Sequence, residues 1–219
     1  MMNDTVQFSL DRMTELSTFS ADDDPRAERL LDAAKAAFLA HGYAAASMDQ
    51  VARLAQASKT TLYTRFPSKE SLFIAVVRRE CARRGMGFAA QDFDHLPLEA
   101  ALRDIADRFL DLLWSREALR VHQVVTGEAT RQPEIAQLFY DAAVVPACAA
   151  VTGYISRAMA RGLLPQGDAE FIALQFLASL QGGPHCALTL GLGESPLPDQ
   201  RRAYVARAVA LFLRGAAAP

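Results

Sequence analysis

The sequence predicts an all-α fold of about nine helices, with a three-helix N-terminal domain and a larger helical C-terminal domain. Three observations support this prediction. Apolar residues recur at spacings of three and four along most of the chain, as they do on one face of an α-helix. Serine, aspartate and proline stand where the predicted helices begin, and glycine stands where several of them end. No stretch shows the apolar–polar alternation that is typical of strands.

Length and composition limit the class of protein. The 219 residues are 51% hydrophobic, which is enough for a large core. No transmembrane segment is expected, because no apolar run reaches the ~20 residues that span a bilayer. The N-terminus lacks the regions of a secretion signal, so we expect a cytoplasmic location. Cys81, Cys148 and Cys186 are widely separated, which is typical of free thiols in a reducing compartment, and no spacing predicts a metal site.

The formal net charge of −2 is unevenly distributed along the chain. Residues 25–84 carry eleven Lys and Arg against five Asp and Glu, whereas residues 1–24 carry one against six. A local excess of cations is what the neutralisation of phosphates requires. The alternative is an ordinary solvated face. The distribution therefore favours, without requiring, a nucleic-acid surface within 25–84.

The charge pattern and the helix signals divide the chain into three segments. We expect a mobile arm at 1–24, a DNA-binding domain at 25–84 that includes the start of a connecting helix, and a helical domain at 85–219, joined through a connector at 85–97. Asp24 and Pro25 are the cap and first-turn proline of a helix at 26–41. Gly42 is expected to end that helix. Its core stripe consists of Leu30, Leu31, Ala34, Phe38 and Leu39.

Residues 47–66 contain the motif on which the functional prediction depends. Ser47 and Gln50 form a capping box at the start of a second helix, 47–55. Gln56 then leads into a turn, and Ser58 caps a third helix, 59–66. Two short helices joined by a tight turn form a helix-turn-helix, whose second helix can lie in the major groove of DNA.

The outward face of the third helix is polar, because Leu62 and Phe66 at i and i+4 face inward. Its hydroxyl and ammonium groups suit base edges and phosphates. Ser68 is expected to cap a fourth helix that ends near residue 84. Lys69 follows in its first turn, where a cation is unfavourable to the helix dipole. A DNA phosphate as partner would explain this lysine, and a solvated lysine is the alternative.

The C-terminal domain is predicted to consist of further helices. They span about 97–114, 116–131, 133–161, 168–182 and 199–214, with another helical piece at 185–192. Ser115 and Asp168 are the expected caps of two of them. Pro146 should interrupt or kink the helix at 133–161.

The motif and the helix order together strongly resemble the TetR family of bacterial transcriptional regulators over residues 33–73. The matching residues are Ala33, Ala34, Phe38, Gly42, Tyr43, Ser47, Val51, Ala52, Ala55, Ser58, Lys59, Thr61, Leu62, Tyr63, Phe66, Ser68, Lys69, Glu70 and Leu72. The family usually has glycine in the turn, where this chain has Gln56. Glycine takes positive φ freely, so Gln56 is mildly strained or the turn has another shape. We expect an intact motif with a small loss of stability.

Residues 115–164 are similar, more weakly, to the AefR-like ligand-binding domains of that family. The similar stretches are 115–120, 128–129, 133–134, 139–140 and 161–164. The resemblance implies an all-helical sensor domain and a homodimer. In the family the last two helices pack as a four-helix bundle between subunits, and the eighth and ninth predicted helices, 168–182 and 199–214, correspond to them.

The resemblance and the surface pattern imply two sets of site residues. The DNA-binding set is Ser47, Ser58, Lys59, Thr60, Thr61, Tyr63, Thr64 and Lys69, of which Lys59, Thr60 and Thr64 approach base edges while Tyr63, Lys69 and Ser47 contact phosphates. A dimer implies a palindromic double-stranded operator. By family analogy the ligand-binding set is Phe109, Leu113, His122, Thr126, Phe139, Tyr140, Gln175 and Phe176, for whose phenylalanines and His122 simple core packing is the alternative. No cofactor is expected.

We therefore expect a transcriptional repressor that a small, mostly apolar ligand releases from its operator. The ligand would favour a dimer whose recognition helices no longer match the operator spacing. The alternative is a small-molecule-binding helical protein on the same scaffold that has lost DNA regulation, which only Gln56 favours. An enzyme is not expected, since no nucleophile elbow, phosphate loop or metal spacing occurs.

Overall fold

The computed structural model describes residues 24–84 and 93–216. Within these ranges the regular structure is helical and contains no strand, as the sequence predicts. The helices are α1 (Pro25–Ala45), α2 (Met48–Leu54), α3 (Lys59–Arg65), α4 (Lys69–Arg83), α5 (Leu98–Leu113), α6 (Arg116–Glu128), α7 (Pro133–Ala160), α8 (Ala169–Leu180), α9 (Gly183–Thr189) and α10 (Pro198–Ala216). The helical piece predicted at 185–192 corresponds to α9.

The chain divides into two compact units. The first unit comprises Met1–Arg79 and Val124–Val145, and the second comprises Glu80–Gln123 and Pro146–Pro219. The expected division into 1–24, 25–84 and 85–219 remains a prediction. The arm at 1–23 and the part of the connector at 85–92 lie outside the described residues.

Helix α1 begins as predicted and ends differently. Asp24 is its N-cap and accepts a hydrogen bond from the Arg26 amide at 2.8 Å, with Pro25 in the first turn. Gly42 takes φ 76° and ψ 167° and breaks the helical path, but the chain makes a further turn to Ala45. Only glycine adopts these angles readily, so the predicted stop is a kink rather than an end.

The first unit forms around side chains that α1 to α4 direct inward. Leu30, Leu31, Leu62 and Leu72 are at most 1% exposed. Helix α2 packs against both α1 and α3. The rings of Phe38, Tyr43 and Phe73 contact one another, with centroids 5.3–5.7 Å apart. This packing fixes the positions of α2 and α3 from behind and leaves their other face to solvent.

Local capping explains where several helices begin. The Ser47 hydroxyl accepts from the Gln50 amide at 3.2 Å while the Gln50 side chain accepts from the Ser47 amide at 3.3 Å, so the predicted capping box is present. Ser58, Ser115 and Asp168 accept from amides three residues on, at 3.0–3.1 Å. Each bond satisfies an amide that the first helical turn leaves without a partner.

Helix α7 is continuous but irregular. Its residues Tyr140–Val144 form a π-helical turn in which the Val145 amide donates to the Tyr140 carbonyl. The turn ends just before Pro146, which lacks an amide proton and would collide with the carbonyl four residues earlier in a regular helix. The predicted interruption near Pro146 therefore takes the form of a widened turn.

The second unit is built around α5, α8 and α10, which pack against one another. Its core includes Leu102, Ile105, Tyr154, Phe176 and Val209, each at most 1% exposed. Arg201 of α10 binds Asp107 at 2.8 Å and Asp111 at 2.5 Å, both on α5. These ion pairs hold the start of α10 to the side of α5.

One described helix, α7, is long and apolar enough to cross a bilayer by length and composition alone. Core helices of globular proteins pass the same test, so this is weak evidence for a membrane span.

Candidate nucleic-acid interface

The turn between α2 and α3 has the shape that the motif requires. Gln56 takes φ 52°, the left-handed conformation that glycine favours. The Gln56 amide donates to the Arg53 carbonyl at 3.1 Å, and the Ala57 amide donates to the Ala52 carbonyl at 2.9 Å. This bond pair is the Schellman arrangement that ends a helix with a left-handed residue. Of the two alternatives for Gln56, the structure therefore has the strained residue and not a different turn.

Helix α3 presents a polar face because two residues anchor its other side. Leu62 and Phe66 are 0% and 5% exposed, as predicted from their spacing. Lys59, Thr60, Tyr63 and Thr64 are exposed. Thr61 is half-buried, and its hydroxyl lies 2.8 Å from that of the cap Ser58. The structure thus brings the predicted members of α3 together on one surface, with Ser58 and Thr61 at its edge.

Lys59 is held by an acidic residue that the sequence interpretation did not include. Its ammonium lies 2.6 Å from a carboxylate oxygen of Asp49 on α2, and both side chains are more than half exposed. Exposed ion pairs contribute little stability, so the lysine can exchange this partner for a phosphate or a base edge. Asp49 was missed because its ten-residue separation from Lys59 matches no local spacing rule.

Lys69 has partners inside the protein. Its ammonium lies 3.0 Å from the carbonyl oxygen of Tyr43 and 3.3 Å from those of Ala44 and Ala46. It also lies 4.4 Å from the centroid of the Tyr43 ring. An ammonium has three donors, and here each has an acceptor. The helix end at α1 therefore explains the unusual position of this lysine without DNA, and its phosphate contact stays a prediction.

Two arginines join α1 to α3 and α4 through ion pairs. Arg65 of α3 forms an ion pair with Asp24. The pKa of Asp24 is lowered by the hydrogen bond from the Arg26 backbone N–H and by the Arg65 guanidinium. Arg79 of α4 is 5% exposed and binds Glu28 at 3.2 Å and Asp32 at 2.8 Å. Asp24 therefore offsets the charge of Arg65, and Glu28 and Asp32 offset that of Arg79.

A small cleft lies beside the turn, on the α1 side. Its volume is about 180 Å³, and it is lined by Arg26, Arg29, Leu30, Ala55, Gln56, Ala57, Ser58 and Thr61. Arg26 and Arg29 are among the cations of 25–84 but are not among the predicted DNA-binding residues. The sequence could have indicated them as candidates, because they stand at i and i+3 in the first turns of α1, the helix that precedes the helix-turn-helix.

The predicted ligand-binding residues are distributed over both units, and their role as a pocket stays a prediction. Phe109 and Phe176 are 6% and 0% exposed and belong to the core of the second unit. Leu113 and His122 are half-buried, and Gln175 is exposed in the same unit, while Thr126, Phe139 and Tyr140 belong to the first unit. None of the eight lines the clefts described for this chain. Core packing, the alternative for the phenylalanines, applies to Phe109 and Phe176.

His122 has a partner that the sequence did not reveal. The rings of His122 and His185 approach to 6.3 Å between centroids. Burial lowers the pKa of both, and the His122 charge lowers that of His185 further. The Nδ1 atom of His185 is buried and has no hydrogen-bond partner within the described ranges. The pair places two imidazole rings side by side in the second unit, outside its apolar core.

Helices α8 and α10 carry apolar side chains that the described chain leaves uncovered. Phe171 is 57% exposed and Leu211 is 72% exposed. A cleft of about 550 Å³ follows α10 and is lined by Ser179, Tyr204, Arg207, Ala208, Ala210, Leu211 and Arg214. Large exposed apolar side chains on two adjacent helices are typical of an interaction surface.

Comparison with known families covers both parts of the chain. Residues 30–76 match the model described as bacterial regulatory proteins of the tetR family. Residues 100–215, more than half of the chain, match the C-terminal domain of AefR-like transcriptional repressors.

Curated relatives match over a short region. The chain is similar to the transcriptional activator FasR of Mycolicibacterium smegmatis, with 46% identity over 56 residues, 26% of each chain. An uncharacterized HTH-type regulator of Mycobacterium tuberculosis is 42% identical over 59 residues, 27% of this chain and 29% of that protein. The matches thus span little more than a quarter of these relatives' length.

Solved structures match over most of the chain. The flavonoid-responsive regulator FrrA is 28% identical, with a TM-score of 0.71 over 87% of this chain and 96% of that one. A regulator from Pseudomonas syringae pv. tomato is 26% identical, with a TM-score of 0.64 over 88% and 97%. A structure from Mesorhizobium loti, 23% identical, has a TM-score of 0.72 over 87% and 96% and shares the fold. On the helix-turn-helix geometry and both domain matches, the chain belongs to the TetR family of bacterial transcriptional regulators and carries an AefR-like C-terminal domain.

Proposed function

We propose that this TetR-family regulator is a homodimeric repressor that binds a palindromic operator and is released by a small, mostly apolar ligand. Regulators of the family bind DNA operators and small-molecule effectors and function as dimers. The observation that carries the proposal is the exposed polar face of α3, with Lys59, Thr60, Tyr63 and Thr64 above the buried Leu62.

In the proposed complex α3 lies in the major groove. Lys59, Thr60 and Thr64 approach base edges, and Tyr63 contacts a phosphate together with Ser47 at the start of α2. Ser58 and Thr61 stand at the edge of the contact surface. Thr64 donates from its hydroxyl to the Thr60 carbonyl at 2.8 Å, which fixes its rotamer.

The proposed dimer interface consists of α8 and α10. Its support is the exposed Phe171 and Leu211 and the cleft along α10. A two-fold dimer places two copies of α3 on one duplex, so the operator should contain two inverted half-sites about one helical turn apart.

The proposed effector is small and mostly apolar. Its support is the aromatic core of the second unit and the His122–His185 pair outside that core. The similar regulator FrrA is named as flavonoid-responsive, so phenolic aromatic compounds are suitable first probes. Ligand binding would act through a population shift of the sensor, because the ligand favours one of its conformations.

The experiment that tests the proposal is operator selection followed by release. The purified chain is incubated with fragments of its own genome, and bound fragments are sequenced and confirmed by gel shift. We expect an inverted repeat that is retained by the dimer and lost when a phenolic or acyl ligand is added. If the protein retains no genomic fragment, the proposed regulation of DNA is wrong. If it retains a fragment that no tested ligand releases, the proposed effector is wrong. The alternative without DNA regulation rested on Gln56 alone, which adopts the conformation of the family's glycine.

A further inference from the structure

The cleft between α1 and the turn of the helix-turn-helix combines cations with hydrogen-bond donors. Arg26 and Arg29 are exposed and stand at i and i+3 on α1, so they share a face of that helix. Neither guanidinium forms an ion pair or side-chain hydrogen bond within the described part of the chain. The opposite wall holds Gln56, Ala57, Ser58 and Thr61. Among the described residues, the cleft therefore offers two guanidinium groups that have no ion-pair partner and one exposed side-chain amide.

The acidic residues beside this cleft form their ion pairs with arginines other than Arg26 and Arg29. Asp24 accepts a hydrogen bond from the Arg26 backbone N–H and forms an ion pair with Arg65. Glu28 and Asp32 both bind Arg79. Each carboxylate of the first two turns of α1 is thus held by an arginine other than Arg26 and Arg29. An anion that enters the cleft meets the positive charge of these two residues.

The size and position of the cleft indicate which anion it takes. A volume of about 180 Å³ is below the roughly 300–1,000 Å³ of small-molecule sites. Ser58 and Thr61 belong both to the cleft wall and to the edge of the α3 surface. A duplex with α3 in its major groove would bring the phosphates that flank the groove to this edge.

We infer that the cleft binds a backbone phosphate of the bound DNA, which contacts Arg26, Arg29 and the side-chain amide of Gln56. This inference rests on the proposed operator binding and extends the contacts from the helix-turn-helix to α1. It also gives a role to Gln56. Glycine would relieve the strain at φ 52° but would remove the only side-chain amide in the cleft wall.

The test is the salt dependence of DNA affinity for the full chain. Affinities for the selected operator are measured by fluorescence anisotropy between about 50 and 200 mM salt, a range over which phosphate contacts change affinity strongly. For Arg26→Gln/Arg29→Gln the slope of log affinity against log salt should become shallower by about 0.9 for each phosphate that the protein no longer neutralises. The decrease in affinity should be equal on an unrelated duplex, since phosphates carry no sequence information.

Two further variants and one control complete the design. Arg26→Lys/Arg29→Lys keeps the charge and should keep the wild-type slope. Gln56→Gly should weaken binding to both duplexes while the slope stays unchanged, because the amide is neutral. Arg116→Gln/Arg120→Gln removes the same two charges from exposed sites on α6 and should change nothing.

An unchanged slope for the Arg26→Gln/Arg29→Gln variant, in a chain that still binds operator, would overturn the inference and leave the proposed function intact. A decrease in affinity confined to the operator duplex would also overturn it, since the arginines would then contact bases. If wild-type protein binds no duplex, the proposed function and the inference both fall. Because both arginines are exposed, the variants should unfold at the wild-type temperature, and the lysine variant distinguishes removal of charge from damage to the fold.

Discussion

At the scale of single residues, Gln56 adopts the left-handed backbone conformation that glycine favours. Its left-handed conformation is fixed by two backbone bonds, from its own amide and from that of Ala57. A side chain in this conformation costs roughly 1–2 kcal/mol. The motif is therefore intact, and its expected loss of stability stays a prediction.

The first prediction concerns the stability cost at this residue. Gln56→Gly should raise the free energy of unfolding by about 1 kcal/mol, because relief of the strain exceeds the added entropy of the unfolded glycine. Gln56→Val should lower it, since a branched side chain tolerates positive φ least. Urea unfolding followed by circular dichroism measures both. A glycine variant less stable than wild type would show that the residue is not strained.

The second prediction separates two roles for Lys69. Lys69→Met should lower the free energy of unfolding by about 1.5–3 kcal/mol, because three carbonyls at the end of α1 lose a charged donor. The salt slope of DNA affinity should then stay at the wild-type value. Lys59→Met is the matched control, since its exposed ammonium should affect the slope and hardly affect stability.

The opposite result for Lys69, a shallower slope with unchanged stability, would establish the phosphate contact that its position in the motif predicts. It would also show that DNA competes successfully with the three carbonyls of α1.

At the scale of helices, the sequence predicts those contacts whose two residues are close together along the chain. The capping bonds of Ser47, Ser58 and Asp168 join residues three apart, so local spacing predicts them. The inward residues of α3 follow from their four-residue spacing for the same reason. The partners of Lys69 lie 23 to 26 residues away and depend on how α1 packs against α4. No local rule contains that information.

The sensor was less predictable for a different reason. The sequence identifies apolar residues, but it does not distinguish a cavity wall from a filled core. Phe109 and Phe176 satisfy the pattern of both and lie in the core. The His122–His185 pair was also hidden, because its members are on different helices and the pattern showed only one of them.

The third prediction concerns this pair on α6 and α9. Burial lowers the pKa of both histidines, so the unfolded chain binds more protons than the native chain below the unfolded pKa of about 6.5. Their contribution to stability is present above that pH and is lost as pH falls through the folded values. The second unit should therefore lose stability between about pH 7.5 and about pH 5.5, by a larger amount in wild type than in His185→Gln.

Unfolding of the second unit can be followed by the fluorescence of Trp114, the one tryptophan of the chain. His41→Gln, an exposed histidine of the first unit, is the control and should retain the wild-type response to pH. If wild type and His185→Gln are destabilised equally on acidification, the pair does not contribute.

At the scale of the whole molecule, the account requires two copies of the chain. The fourth prediction is that Leu211→Glu weakens the dimer, because a 72% exposed leucine of α10 would be buried in it. Burial of a leucine contributes about 1.5–3 kcal/mol, so the dissociation constant should rise at least roughly ten-fold. Sedimentation equilibrium measures it. Leu190→Glu changes a leucine that is 69% exposed next to α9 and should leave the dimer unchanged.

An unaltered dissociation constant for Leu211→Glu would move the interface away from α10 and would leave the cleft along that helix to another partner. A monomeric wild-type chain would remove the reason for a palindromic operator.

The central claim is that two copies of the chain bind one inverted repeat, each with the polar face of α3 on one half-site. The most direct measurement is a stoichiometric anisotropy titration of the full chain against the selected duplex and against the same duplex with one half-site scrambled. The account predicts saturation at two chains per intact duplex and a large decrease in affinity on the scrambled one, with the preference reduced by Thr64→Ala. Equal affinity for both duplexes, or saturation at one chain, would contradict it.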